Sequence, residues 1–134
     1  VFLEDYAYSI AMFLDLYDQT LKPNYLFKAK ELCQKTIKLF YIKKKSIFQK
    51  NIIATNDLFH KPIDISDGNI PNGNSVMLLN FSRLKMKDEA KELSDSLNGY
   101  LNVYKSLMAS ALKSIDYFNV IEVNQNCTEE GCSI

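Results

Sequence analysis

Apolar residues recur with a helical period along most of this chain and divide it into five segments of alternating character. The first, third and fifth segments, at about 3–19, 74–86 and 106–118, are apolar on most sides. The second and fourth, at about 24–42 and 88–104, carry one apolar stripe opposite a charged face. Because a helix that is apolar all round must be covered on several sides, this order predicts three inner and two outer helices.

The alternation predicts an all-α fold built from antiparallel helical hairpins, since short connections make consecutive helices antiparallel neighbours. Such hairpins, stacked side by side, form part of an α/α toroid or a solenoid. A four- or five-helix bundle is the alternative, although a bundle favours amphipathic character in every helix. The β-branched and aromatic residues from Ser46 to Ala54 predict a short β-hairpin before the loop that runs from Asp64 to Ser75.

Length, composition and charge limit the class of protein. The chain has 134 residues, of which 47% are hydrophobic and 24% charged, as in ordinary soluble domains. Its formal net charge is zero, and no apolar run reaches the ~20 residues of a membrane span, so neither nucleic acid nor a membrane is an expected partner. The many lysines between Lys22 and Lys50 are expected to form a solvated outer face, because the only arginine, Arg83, is distant. A cytoplasmic location is expected.

The polar, glycine-bearing loop from Asp64 to Ser75 leads directly into the third, strongly apolar segment. In an antiparallel array the inner helices run the same way, so their N-termini meet on one face and present unpaired N–H groups there. We call this face the N-terminal rim, and it is expected to bring together Glu4, Asp5 and Tyr6 from the first segment with Asp67, Asn72, Asn74 and Ser75 from the loop. Carboxylates from two helices are suited to acid–base chemistry or to binding hydroxyl-rich ligands.

The candidate catalytic residues are therefore Asp67, Glu4 and Asp5. The ligand-binding candidates comprise the other rim residues and the pair that leads into the loop: Tyr6, His60, Lys61, Asn72, Asn74 and Ser75. The alternative is structural, because acidic, Asn and Ser residues at helix starts are ordinary caps and Asp67 is then a loop staple.

Three cysteines and one histidine give little scope for a metal or cofactor, and none is expected. Cys33 lies on an apolar helical stripe and is expected to be a buried small hydrophobe. Cys127 and Cys132 lie in a polar tail, where an unstructured tail, a disulfide and half of a metal site all remain open.

Two stretches of sequence resemble a known family. The first is Leu3-Glu4-Asp5-Tyr6-Ala7, and the second is Lys61-Pro62 followed by the run from Asp67 to Val76. They resemble the C-terminal region of the spermatogenesis-associated protein 20 family of thioredoxin-domain-containing proteins. The resemblance implies an α/α toroid of the six-hairpin glycosidase type. This chain is then a fragment of a larger protein, with the last hairpins at 1–120 and a polar tail at 121–134.

Two functions are compatible with that resemblance. The first is a carbohydrate-binding or sugar-modifying toroid that uses the N-terminal rim. The second is a non-catalytic helical scaffold or protein-interaction module that serves the thioredoxin domain. In either case the open sides of the inner helices predict a homo-oligomer, or packing against the rest of the toroid.

Overall fold

The computed structural model describes residues 1–52, 63–125, 127–128 and 131–132. Five α-helices and two very short antiparallel strand pairs make up this part of the chain. The helices are α1 (Leu3–Thr20), α2 (Pro23–Phe40), α3 (Gly73–Arg83), α4 (Lys87–Tyr104) and α5 (Ala109–Gln125). The strands are β1 (Tyr41–Ile42), β2 (Ile47–Phe48), β3 (Cys127–Thr128) and β4 (Gly131–Cys132). The predicted mostly helical fold is confirmed.

A short β-hairpin is present, but it begins earlier than the sequence pattern predicts. Strand β1 pairs with β2 around a 3₁₀ turn at Lys43–Lys45, so only Ile47 and Phe48 of the predicted Ser46–Ala54 segment lie in a strand of the hairpin. The end of that segment, Ile53 and Ala54, lies outside the described residues. Three consecutive lysines form this turn because their charged side chains need solvent. Ser46 closes it with a left-handed backbone, at φ 49°.

Helices α1, α3 and α5 lie side by side, with α3 in the middle. Helix α5 runs in the same direction as α3, because Ser114 bonds to Ser75 near the start of α3 and Phe118 lies beside Phe81 near its end. At one end the start of α3 touches the start of α1, because Gly73 lies against the Leu3 side chain. At the other end Arg83 of α3 reaches Asp15 and Asp18 of α1. Helix α2 packs on α1, and α4 packs on α3 and α5. The structure therefore has an inner row of three helices backed by two outer helices.

Burial within the inner row is uneven. Helix α3 buries nine of its eleven residues, whereas α1 buries four of eighteen, the same number as α2. The expectation that α1 and α5 would be more buried than the outer helices is wrong, since the described side chains of α5 include four buried ones, against five in the outer helix α4. Each of α1 and α5 stands at an end of the row and has an inner neighbour on one side only. Helix α3 is enclosed because it packs against α1, α4 and α5 at the same time.

Cys33 is fully buried, as predicted, and burial together with the nearby Glu89 raises the pKa of its thiol to about 12. It is therefore a protonated, unreactive thiol. Helix α5 continues to Gln125, so the predicted tail at 121–134 starts inside a helix. Within the described ranges no helix combines the length and apolar character needed to cross a bilayer.

Candidate functional site

Asp67 is the centre of a hydrogen-bond network that joins the loop to two helix starts. Its carboxylate accepts hydrogen bonds from the Ser110 N–H at 2.8 Å, from the Ser110 hydroxyl, and from the Asn72 N–H at 3.1 Å. Its own N–H donates to the Leu107 carbonyl at 2.7 Å. Ser110 lies in the first turn of α5, so Asp67 caps this helix from a distant part of the sequence and places a negative charge at its positive end.

The hydrogen bonds also fix the charge state of Asp67. Partial burial raises the pKa of its carboxyl, but the bonds from Ser110 and Asn72 outweigh burial and lower this pKa below the ordinary value. A general acid needs a raised pKa to hold its proton near neutral pH, so Asp67 is poorly suited to that role. An ionised Asp67 is suited to accepting a hydrogen bond.

The polar residues around the start of α3 bond to the protein itself. Asn72 is the N-cap of α3, since its Oδ1 accepts the Ser75 N–H at 3.1 Å. The two hydrogens of its Nδ2 are shared among oxygens of Ile65, Asp67 and Ser75, each 3.0 Å away. Asn74 is fully buried and pins β2 to the loop: its Oδ1 accepts the Phe48 N–H, and its Nδ2 donates to the Phe48 and Asp64 carbonyls. Ser75 is buried as well, and its carbonyl accepts the Ser114 hydroxyl at 2.9 Å.

The charges of Glu4 and Asp67 both act on a third residue, Tyr8, which the sequence pattern did not single out. Tyr8 is one helical turn after Glu4, and its hydroxyl donates to the Pro71 carbonyl at 2.9 Å. Burial raises the pKa of Tyr8, and the negative charges of Asp67 and Glu4 raise it further. The sequence signal for Tyr8 was its i+4 spacing from Glu4, which places both side chains on one helix face.

Asp5 and Tyr6 are placed away from this cluster. The Asp5 carboxylate accepts the Phe2 N–H at 3.1 Å and so satisfies a free donor at the start of α1. The Tyr6 ring packs against Phe40 of α2 with a centroid separation of 5.4 Å, and the Lys35 ammonium lies 5.8 Å from its centre. His60 and Lys61 lie outside the described residues.

The arrangement at the rim is therefore a cluster of one half-buried carboxylate, one phenol and one ionised carboxylate: Glu4, Tyr8 and Asp67. Among the described residues, no group of three or more His, Cys, Asp or Glu side chains is placed to hold a metal ion.

Protein-family models, curated proteins and solved structures were each compared with this chain, and none of the three comparisons gives a match.

Proposed function

We propose that this chain is a non-catalytic helical scaffold whose inner row packs against further helices. The observation that carries the proposal is the contrast between bonded polar groups and exposed apolar ones. At the N-terminal rim, Asp67, Asn72 and Asn74 bond to the protein itself. On the end helices of the row, large apolar side chains stay exposed.

The exposed apolar side chains belong to both end helices. Met12 of α1 is 49% exposed, and Leu112 and Val120 of α5 are 45% and 57% exposed. Exposed apolar surface on the flanks of a helical layer is typical of a surface that another helix covers. The resemblance to the spermatogenesis-associated protein 20 family supports the same idea, since an α/α toroid repeats inner and outer helices side by side.

Sedimentation equilibrium on the chain tests this proposal. We expect association at high micromolar concentration, and we expect Met12→Glu or Leu112→Glu to weaken it at least tenfold, because a charge replaces buried apolar surface. Val103→Glu is the matched control, since Val103 is 71% exposed but belongs to the outer helix α4. A monomeric parent chain at several hundred micromolar, or equal disruption by the control, would contradict the proposal.

A carbohydrate site at the N-terminal rim is the second candidate, and the Glu4–Tyr8–Asp67 cluster favours it. A carboxylate and a phenol next to each other are typical partners of sugar hydroxyls. A thermal-shift screen with mono- and disaccharides tests it, because a ligand that binds only the folded state raises the melting temperature. Glu4→Gln is then expected to abolish a shift seen with the parent. The absence of any shift at tens of millimolar sugar would leave the scaffold as the only function proposed.

A further inference from the structure

A groove lies at the opposite end of the inner row from the N-terminal rim. It has a volume of about 410 Å³ and is lined by parts of α1, α2, α5 and the turn after α3. We call it the C-terminal groove. Its polar and aromatic lining residues are Tyr17, Asp18, Lys30, Arg83, Lys85 and Tyr117. This volume is within the range of roughly 300–1,000 Å³ that is typical of small-molecule sites.

The groove is positively charged. Arg83 is fixed in place by Asp15 and Asp18, each 2.8 Å from Nη2, and its side chain is only 16% exposed. In the part of the chain that the structure describes, neither Lys30 nor Lys85 has a carboxylate within 4.0 Å. The two carboxylates outweigh the single guanidinium by one negative charge, and the two ammonium groups, which have no carboxylate partner among the described residues, bring the groove to a net charge of +1.

Lys85 occupies a backbone position at which glycine is usual. Its φ is 59°, in the left-handed region, and it ends α3 with a Schellman motif. In this motif the Lys85 N–H donates to the Ser82 carbonyl, and the Met86 N–H donates to the Phe81 carbonyl. The left-handed backbone disfavours any residue with a Cβ, so lysine is less stable than glycine at this position. We therefore ask whether the Lys85 ammonium group has a function.

We propose that the C-terminal groove binds a small organic anion, a carboxylate or a phosphate ester, with an aromatic or flat apolar body. The anionic group lies between Lys30, Lys85 and the free edge of Arg83, where charge-assisted hydrogen bonds are strong. The flat body lies against Tyr17 and Tyr117, which line the same groove as the cations. This site is independent of the scaffold proposal, because it uses neither Met12 nor Leu112.

The test uses defined probes with the ¹⁵N-labelled chain. Benzoate and phenyl phosphate carry both features, inorganic phosphate carries only the charge, and phenol carries only the ring. We expect benzoate or phenyl phosphate to bind with a millimolar or lower Kd and to shift the amide signals of residues 83–85 and Tyr117. Phosphate and phenol are expected to bind at least fivefold more weakly than the better of the two.

Lys85→Gly separates a binding role from a structural one. Glycine suits the left-handed backbone, so this variant keeps or gains stability while losing the ammonium group. We expect its Kd for the better probe to rise at least fivefold, and Lys30→Gln to act in the same direction. Ser46→Gly is the matched control, since Ser46 also has a left-handed backbone, at φ 49°, and lies in the hairpin turn outside the groove. Its Kd is expected to match that of the parent.

Three results would overturn the proposal. The first is no binding of benzoate or phenyl phosphate at 20 mM, roughly the weakest affinity of interest. The second is equal binding of phenol or inorganic phosphate, which would make the groove an unspecific apolar or ionic surface. The third is a Kd that both lysine variants leave within twofold of the parent.

Discussion

The two ends of the inner row use their polar side chains in different ways. At the N-terminal rim, Asp67 and Asn74 bond to backbone groups of other elements and close the structure. At the C-terminal groove, Lys30 and Lys85 have no carboxylate partner among the described residues. The loop rich in turn-forming residues therefore holds the fold together. The charged groups that could bind a ligand are Lys30 on helix α2 and Lys85 at the end of helix α3.

The difference between the polar side chains of the two ends has a physical basis. A loop buries more backbone N–H and C=O groups than it can pair by itself, so Asn and Asp side chains are recruited to pair them. A helix pairs its own backbone and leaves its side chains free. The following predictions test this difference, from the largest expected effect to the smallest.

Replacing the buried amide of Asn74 is expected to have the largest effect. Asn74→Ala leaves the Phe48 N–H and C=O and the Asp64 carbonyl without this partner. We expect a loss of about 3 kcal/mol in the free energy of unfolding, measured with urea. Asn69→Ala in the same loop is the control, because Asn69 is exposed and is expected to change stability by less than about 0.5 kcal/mol.

Gly73 and Gly99 form a matched pair of helical glycines. A Cβ at Gly73 would lie 2.8 Å from two Leu3 side-chain atoms, whereas a Cβ at Gly99 would meet nothing within 4 Å. Gly73→Ala is expected to destabilise by about 1–3 kcal/mol through overpacking between α1 and α3. Gly99→Ala is expected to stabilise α4 by about 0.5–1 kcal/mol. Equal effects of the two changes would show that the starts of α1 and α3 are not in close contact.

The lowered pKa of Asp67 predicts that the free energy of unfolding depends on pH. Its pKa in the folded state is below the ordinary value of 3.8, so its contribution is complete above that value and is lost as the pH falls through the lower, folded pKa. Asp67→Asn is expected to lose about 1–2 kcal/mol near neutral pH and to flatten part of the acid limb of the stability profile. The rest of that limb persists, because the Lys50 partner outweighs burial and lowers the pKa of Asp64 too. An unchanged acid limb would exclude the capping role.

The smallest effect is expected at the ion pairs beside the C-terminal groove. The side chains of Asp15 and Asp18 are 70% and 60% exposed, so Asp18→Asn is expected to change the free energy of unfolding by less than about 0.5 kcal/mol. The same change removes a negative charge from the groove and is expected to lower the Kd for benzoate. A large loss of stability would mean that Arg83 holds the fold as Asp67 does.

The helices could be predicted from the sequence because hydrophobic periodicity is a local property. The alternation of apolar and amphipathic segments identified α3 as a buried helix, but it overestimated the burial of α1 and α5. The bond between Asp67 and Ser110 was not readable, because it joins residues 43 positions apart. Uneven burial of α1 and α5 depends on how many neighbours each has, which periodicity does not encode. Tyr8 was missed because its i+4 spacing from Glu4 gains meaning only once the loop places the Pro71 carbonyl beside its hydroxyl.

The difference between the two ends is tested most directly by urea unfolding of Asp67→Asn and Lys85→Gly, measured beside the parent chain at neutral pH. We expect Asp67→Asn to lose about 1–2 kcal/mol, because it breaks the network that caps α5. We expect Lys85→Gly to be at least as stable as the parent, because its backbone conformation suits glycine. A stable Asp67→Asn variant together with a destabilised Lys85→Gly variant would contradict the assignment of structure to the rim and of available charge to the groove.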